Sequence, residues 1–335
     1  MPTSPPKSQN PLKPPRIKPM PFGGGPGGGF KHFNASEVVT LADSRFLFCD
    51  NNIGTELFEL QVTPEGQMAL PIVPRPIEGI QPGAVDDLEG LALVEDGRNR
   101  FIFAIPSMSL KQRKKRRKKK TTRGKESPAR NCLLRINIGD DDRLHAEVIP
   151  DFRSWLIEHA PELSKPARYL PDDGGLNIEA LGWHPAQQTL LLGLRTPLID
   201  SKPMVIRVRL NEVSGPWAIN NLEMLPPITL AIDSSTDEQG IRSIDYDESR
   251  GAWLIVVGNS TSRSKAPFSL HLWDGNEQGA VRLFPDIRFG RKMRVEGVAH
   301  GTISSRGAII FVDDAGGYRT VWDDDPRLQS HLYIS

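Results

Sequence analysis

The chain has 335 residues, of which 38% are hydrophobic and 25% charged, the balance of a water-soluble globular protein with ample chain to bury a core. No apolar run approaches the roughly 20 residues that a membrane-spanning helix needs, and the two cysteines, Cys49 and Cys132, are too far apart to suggest a disulfide framework or a zinc site. The net charge of +1 conceals a segregation: 111–125 holds eleven Lys or Arg and no acid, which leaves 31 basic against 41 acidic residues elsewhere, a net of −10.

Residues 1–29 contain nine Pro and six Gly, a composition that neither donates regular backbone hydrogen bonds nor buries side chains, so 1–30 is expected to be a disordered tail. Its glycine triplets lack the strand before and the Gly-Lys-Ser/Thr after that a phosphate loop requires. With no basic-then-apolar leader at the N-terminus, a cytoplasmic location is expected; the chain is also expected to be a monomer.

From residue 33 one pattern returns five times. A short apolar strand opens behind a polar residue, a turn follows, and a second strand rich in Phe, Ile, Leu and Val ends in small or polar residues. The repeats begin with "NASEVVTLADSRFLFCDNN", "DDLEGLALVEDGRNRFIFAIPS", "LNIEALGWHPAQQTLLLGLRTP", "QGIRSIDYDESRGAWLIVVGNS" and "MRVEGVAHGTISSRGAIIFVDDAGG". Aligned on the first strand, Ser36, Glu89, Glu179, Arg242 and Glu296 share one position, at spacings of 53, 90, 63 and 54 residues. Strands repeating at such a period, with almost no helical periodicity, indicate a radial array. Later strands such as "TELFELQV", "NCLLRINI" and "PMVIRVRL" complete four per unit, the content of a β-propeller blade. The fold expected is therefore all-β: one propeller over 31–335, with five visible blades and a sixth left open. The long second interval accommodates a polybasic loop at 111–128 and a short helix near 151–160, capped by Asp151 and ended before Pro161. A pair of β-sandwiches would give no shared position between units.

The phrases "DDLEGLAL", "LNIEALGWHP…LLLGLRTPL", "GIRSIDYD…WLIVVGNS" and "VEGVAHG" resemble the DUF3616 family of uncharacterised bacterial proteins. More distantly they resemble the esterase-like-activity-of-phytase propellers, which share the Asp-x-Glu-Gly-aliphatic-Ala blade opening. The likeness covers about 34–320. It implies a propeller and brings no established reaction.

In a blade the innermost strand starts, and the second strand ends, at the same face of the disc. Glu89 is thus expected near Ser107, Glu179 near Arg195 and Thr196, Arg242 near Asn259 and Ser260, Glu296 near Asp313 and Asp314, and Ser36 with Glu37 near Asp50, Asn51 and Asn52. Radial symmetry gathers these groups at one mouth of the central channel. The expected ligand site is Glu89, Glu179, Arg195, Arg242, Asn259 and Glu296. Converging carboxylates repel unless Arg or a cation intervenes, and Asp, Glu and Asn oxygens are the donors calcium prefers, so Glu296, Asp313 and Asp314 form a candidate calcium site. A metal-assisted esterase or phosphoesterase and a non-catalytic module for an anionic ligand or protein are both consistent with such a ring, and each Glu alone also fits an inter-blade clamp on backbone N–H groups. No Gly-x-Ser-x-Gly, His-Glu-x-x-His or dinucleotide glycine motif occurs, and no catalytic residue is assignable. His184 and His300 are expected at the far end of the innermost strands. The basic run Lys111–Lys125 is read as a solvated insertion or a contact for a small anion or polyanion; lacking base-reading or aromatic residues, it would bind nucleic acid without sequence preference.

Overall fold

The computed structural model describes residues 14–22, 33–112, 124–232 and 238–330, and the backbone of 332–333. They form five antiparallel blades around one axis. From the inside outward, blade 1 is Ala35–Ala42, Arg45–Asp50, Ile53–Gln61 and Val73–Glu78, and blade 2 is Leu88–Asp96, Asn99–Pro106, Cys132–Ile138 and Leu144–Pro150. Blade 3 is Asn177–His184, Thr189–Thr196, Met204–Leu210 and Leu222–Thr229; blade 4 is Gln239–Asp247, Ala252–Asn259, Ser269–Trp273 and Val281–Leu283, with Leu332–Tyr333 added at its edge. Blade 5 is Val295–Ile303, Arg306–Asp313 and Gly317–Trp322, completed from the N-terminal side by Met20–Pro21. Each innermost strand packs against the next, and that of blade 5 returns to that of blade 1, closing the ring. The outer strands of blades 1 and 2 also pair in parallel, Leu144 opposite Ile77 and His145 opposite Glu78.

Strands such as "RFIFAIP" and "AWLIVVGN" are continuous apolar runs because a blade has another blade on each face. The core is accordingly five wedges, one per blade boundary, rather than one centre. Between blades 5 and 1, for example, Phe46, Phe48 and Val38 meet Ile310, Val312 and Ala299.

Two expectations need correction. Residues 14–22 are not tail: Met20 and Pro21 pair with Tyr318 and Gly317, Ile17 bridges to Phe289, and Phe22 stacks on Phe48 with ring centroids 4.8 Å apart. Proline is tolerated in this edge strand, where one side of the backbone needs no partner, so composition alone misread it. The rest of 1–30 lies outside the described residues, apart from this segment. The short helix, α1 (Phe152–His159), is where expected, but Asp151 does not cap it; Asp151 is left-handed (φ 56°), and the Asn131 side-chain oxygen instead accepts the Arg153 N–H at 2.8 Å. Asn131 could not be foreseen in that role because it is distant in sequence.

Candidate functional site

All five equivalent positions share one backbone feature. In every blade the pairing of the innermost strand skips a residue, and the residue skipped is Ser36, Glu89, Glu179, Arg242 or Glu296. A β-bulge re-aims the extra side chain out of the ladder; repeated five times, it directs these groups toward the axis at one mouth.

There they form a charged network. Arg242, only 4% exposed in its side chain, donates through Nη1 to Glu179 at 2.6 Å and to both Glu296 oxygens at 2.9 and 2.7 Å. Its Nη2 donates to the Asn259 carbonyl at 2.6 Å and the Asn259 side-chain oxygen at 2.7 Å, while Nε is buried with no partner among the described residues. The guanidinium lies over the Phe268 ring, 5.5 Å from its centroid. Arg195 donates to the other Glu179 oxygen at 2.8 Å and to the Ser260 carbonyl at 2.8 Å, and Asn177 adds a third bond to Glu179 at 2.8 Å.

Two glutamates, Glu179 and Glu296, thus share two guanidinium groups, with Glu89 beside them. Burial opposes ionisation of Glu179, but the charges of Arg195 and Arg242 prevail and hold its carboxyl below the ordinary range. Burial, with Glu179 beside it, outweighs Arg242 at Glu296, whose pKa is pushed up to about 8. Glu89 is raised well above the ordinary range by burial and by the charges of Asp87, Glu179 and Glu296, against a bond from Ser36. The mouth therefore pairs a carboxyl that resists ionisation, Glu89, with one that favours it, Glu179.

Of the expected ligand residues, Arg195, Arg242, Asn259 and Glu296 line a cavity of about 620 Å³, and Glu89 and Glu179 stand in the ring behind them. Sequence reasoning missed the rest of the wall. Arg16, Lys265, Arg291 and Arg294 bring the lining cations to six against two acids, Glu296 and Asp314; Phe268, Phe289 and Met293 supply an apolar side. Arg16 comes from the N-terminal segment and is tethered by Nη1 to the Phe289 carbonyl at 3.0 Å. Lys265 and Arg291 make no ion pair among the described residues.

Glu296, Asp313 and Asp314 do not converge as cation ligands. Asp313 turns one oxygen to the Arg294 and Ala315 N–H groups at 2.9 and 3.0 Å, Asp314 stands 3.5 Å from the Arg294 guanidinium, and Arg242 occupies Glu296. Among the described residues no group of three or more His, Cys, Asp or Glu is placed to hold a metal ion. Ser107, the expected neighbour of Glu89, bonds Asp87 instead, and Arg130 holds Asp86 and Asp87 at 2.8 and 2.7 Å. Of the basic run, Lys111–Gln112 pairs with Gly124–Lys125, and 113–123 lie outside the described residues.

Glu37, expected near Asp50, Asn51 and Asn52, turns its carboxylate to blade 4 instead. Just after the bulge the other blades carry Gly90, Ala180, Ser243 and Gly297, whereas blade 1 carries Glu37. Glu37 is buried, accepts the Ser243 hydroxyl at 2.6 Å, and has one oxygen without a partner; burial raises its pKa well above the ordinary range.

No protein-family model matches the chain, and no curated protein matches it in sequence. Among solved structures it is similar to the allergen Mala s 1 of Malassezia sympodialis, at 9% identity and a TM-score of 0.46 over 87% of this chain and 92% of that one. It is similar also to the glutaminyl cyclase of Myxococcus xanthus (10%, TM-score 0.42, over 96% and 97%) and to a glucose dehydrogenase (11%, TM-score 0.40, over 87% and 96%). Likeness at this level bears on neither activity nor ligand. The site belongs to a β-propeller with a cationic channel mouth. No helix among the described residues is long and apolar enough to cross a membrane.

Proposed function

We propose that this protein is a propeller binding module for a small, multiply charged anion of the phosphate or carboxylate class, taken up at the Arg242 mouth. A single observation carries the reading: six cationic side chains surround one cavity that holds two acids. Arg195 and Arg242 are fixed by their glutamates, so they present pre-organised donors, while Lys265 and Arg291 bring charge that no ion pair among the described residues consumes. The blade motifs support placing the chain with the DUF3616 proteins, and the composition of Lys111–Lys125 supports a separate, salt-sensitive contact with polyanions.

Isothermal titration calorimetry with pyrophosphate and citrate tests the main reading. Saturable binding that weakens with salt and falls at least about tenfold in the Lys265→Gln/Arg291→Gln double variant is expected, since two charges are removed. No heat with either anion at millimolar concentration would refute it. Calcium is the control arm: a calcium-dependent rise in Tm would replace the anion module with a metal-assisted one.

A hydrolytic version has one observation behind it. Glu89 stands in the ring beside Glu179 with its pKa raised by burial and by neighbouring carboxylates, the setting of a proton donor to an ester leaving group. Turnover of p-nitrophenyl phosphate or acetate, lost in Glu89→Gln, would establish it.

A further inference from the structure

The opposite mouth of the channel is built by the same five-fold rule. Four residues beyond each bulged position, the innermost strands carry Thr40, Leu93, Trp183, Tyr246 and His300, and all five line one cavity of about 260 Å³. Its remaining wall is Ala92 and Pro185, with the carboxylates of Asp245, Glu248 and Glu95; no Lys or Arg lines it.

The charges around this cavity divide into two sets. His300 is held outside its balance: Nδ1 stands 3.3 Å from Asp247 and Nε2 2.9 Å from Asp323, and Arg250 bridges the same two acids. Arg250, joined by His300 when that ring is protonated, answers the two carboxylates there. Glu95 has Arg100 at 3.2 Å. Among the described residues Asp245 and Glu248 form no ion pair with Lys or Arg, and Asp245 has the His300 ring as its neighbour. One Asp245 oxygen accepts the His300 backbone N–H at 2.7 Å, and the Tyr246 backbone N–H also bonds this carboxylate. The rings are braced from behind, Trp183 edge-on against Phe103 at 5.9 Å and Tyr246 against Trp253 at 4.9 Å.

We propose that this second mouth binds a small organic cation of the alkylammonium class, quaternary ammonium included, between the Trp183 and Tyr246 rings and the Asp245 carboxylate. Aromatic rings attract a cation that has shed its water, and a single desolvated carboxylate supplies the countercharge. A hard metal ion would find too few oxygens and too much apolar wall. An anion would meet uncompensated carboxylates. Burial raises the pKa of Asp245 to about 7, and a bound ammonium would favour its ionised form.

Choline chloride is the probe, followed by calorimetry and Trp fluorescence at pH 8, with 3,3-dimethylbutan-1-ol as its uncharged isostere. Saturable binding of choline and none of the isostere are expected. Asp245→Asn should weaken binding about tenfold or more, and exposed Glu248→Gln by a smaller factor, through loss of countercharge. Pyrophosphate binding at the other mouth should be unchanged in both variants, which separates this site from the proposed anion site. Equal binding of choline and its isostere, no saturable binding, or undiminished affinity in both variants would overturn the proposal. Should Asp245→Asn fail to fold, Tyr246→Leu and Glu248→Gln decide between the same outcomes.

Discussion

Arg242 Nη1 reaches from the innermost strand of blade 4 to both oxygens of Glu296 in blade 5, at 2.9 and 2.7 Å, and the same nitrogen holds Glu179 of blade 3 at 2.6 Å. One side chain therefore links three consecutive blades at the channel mouth. Removing it leaves buried carboxylates facing one another. Arg242→Met is expected to destabilise the fold by about 3–5 kcal/mol, the usual consequence of stripping one partner from a buried pair. Adding Glu296→Gln to Arg242→Met should recover part of the loss, because the amide removes one of the two buried carboxyl groups that Arg242 had joined. Thermal unfolding of both variants measures this; strict additivity would show that the two residues do not interact.

Stability should fall as pH rises from about 5 to 9. Glu296 at about 8 and Asp245 at about 7 have folded-state pKa values above their ordinary ones, and Glu37 and Glu89 are raised as well. A raised carboxyl contributes stability that is complete below its unfolded pKa, near 4, and lost as pH passes its folded value. Glu59, held at about 2 chiefly by Arg45 against the opposing effect of burial, works the other way and withdraws its contribution only in strong acid. The Tm maximum is therefore expected on the mildly acidic side. Glu296→Gln and Asp245→Asn should each flatten the alkaline slope; an unchanged slope in both would contradict the assignment.

Gly297 follows the blade 5 bulge, where a Cβ would lie 2.9 Å from the Glu37 Cα, 3.0 Å from the Val38 nitrogen and 2.5 Å from a Val312 methyl. Two of these are backbone atoms of the next blade and cannot rotate away. Gly297→Ala should destabilise by about 1–3 kcal/mol through overpacking, while Gly83→Ala, an open site but one with φ of 81°, should lose less, through backbone strain alone. Denaturant melts of the pair compare a clash with a strained turn.

Truncation tests the role of the N-terminal segment. Deleting 1–13 should leave Tm unchanged, since a stretch with four prolines and only Met1 and Leu12 as hydrophobic residues offers little to bury. Deleting 1–22 removes the Met20–Pro21 strand together with buried Ile17 and Phe22, each worth about 1.5–3 kcal/mol on burial. It also removes Arg16 from the anion cavity, so pyrophosphate affinity should drop along with stability.

The five-fold order was readable before any coordinates because it is written in local patterns. An apolar strand of fixed period, and a polar residue one step before the core begins, are properties of neighbouring residues, and they located Ser36, Glu89, Glu179, Arg242 and Glu296 on one circle. The pairing of Arg195 with Glu179 and of Arg242 with Asn259 followed from strand direction alone. The counter-ion of Glu296 did not: proximity in the chain favoured Asp313 and Asp314, but Arg242 is brought to it by the closing of the ring, and backbone N–H groups draw Asp313 away. Arg16, Lys265, Arg291 and Arg294 sit in three unrelated connections and share nothing in sequence, so only closure makes them one wall. The Met20–Pro21 strand was hidden for the same reason. Its residues have little strand propensity of their own, and their order comes from an open edge of blade 5 nearly three hundred residues away in the chain.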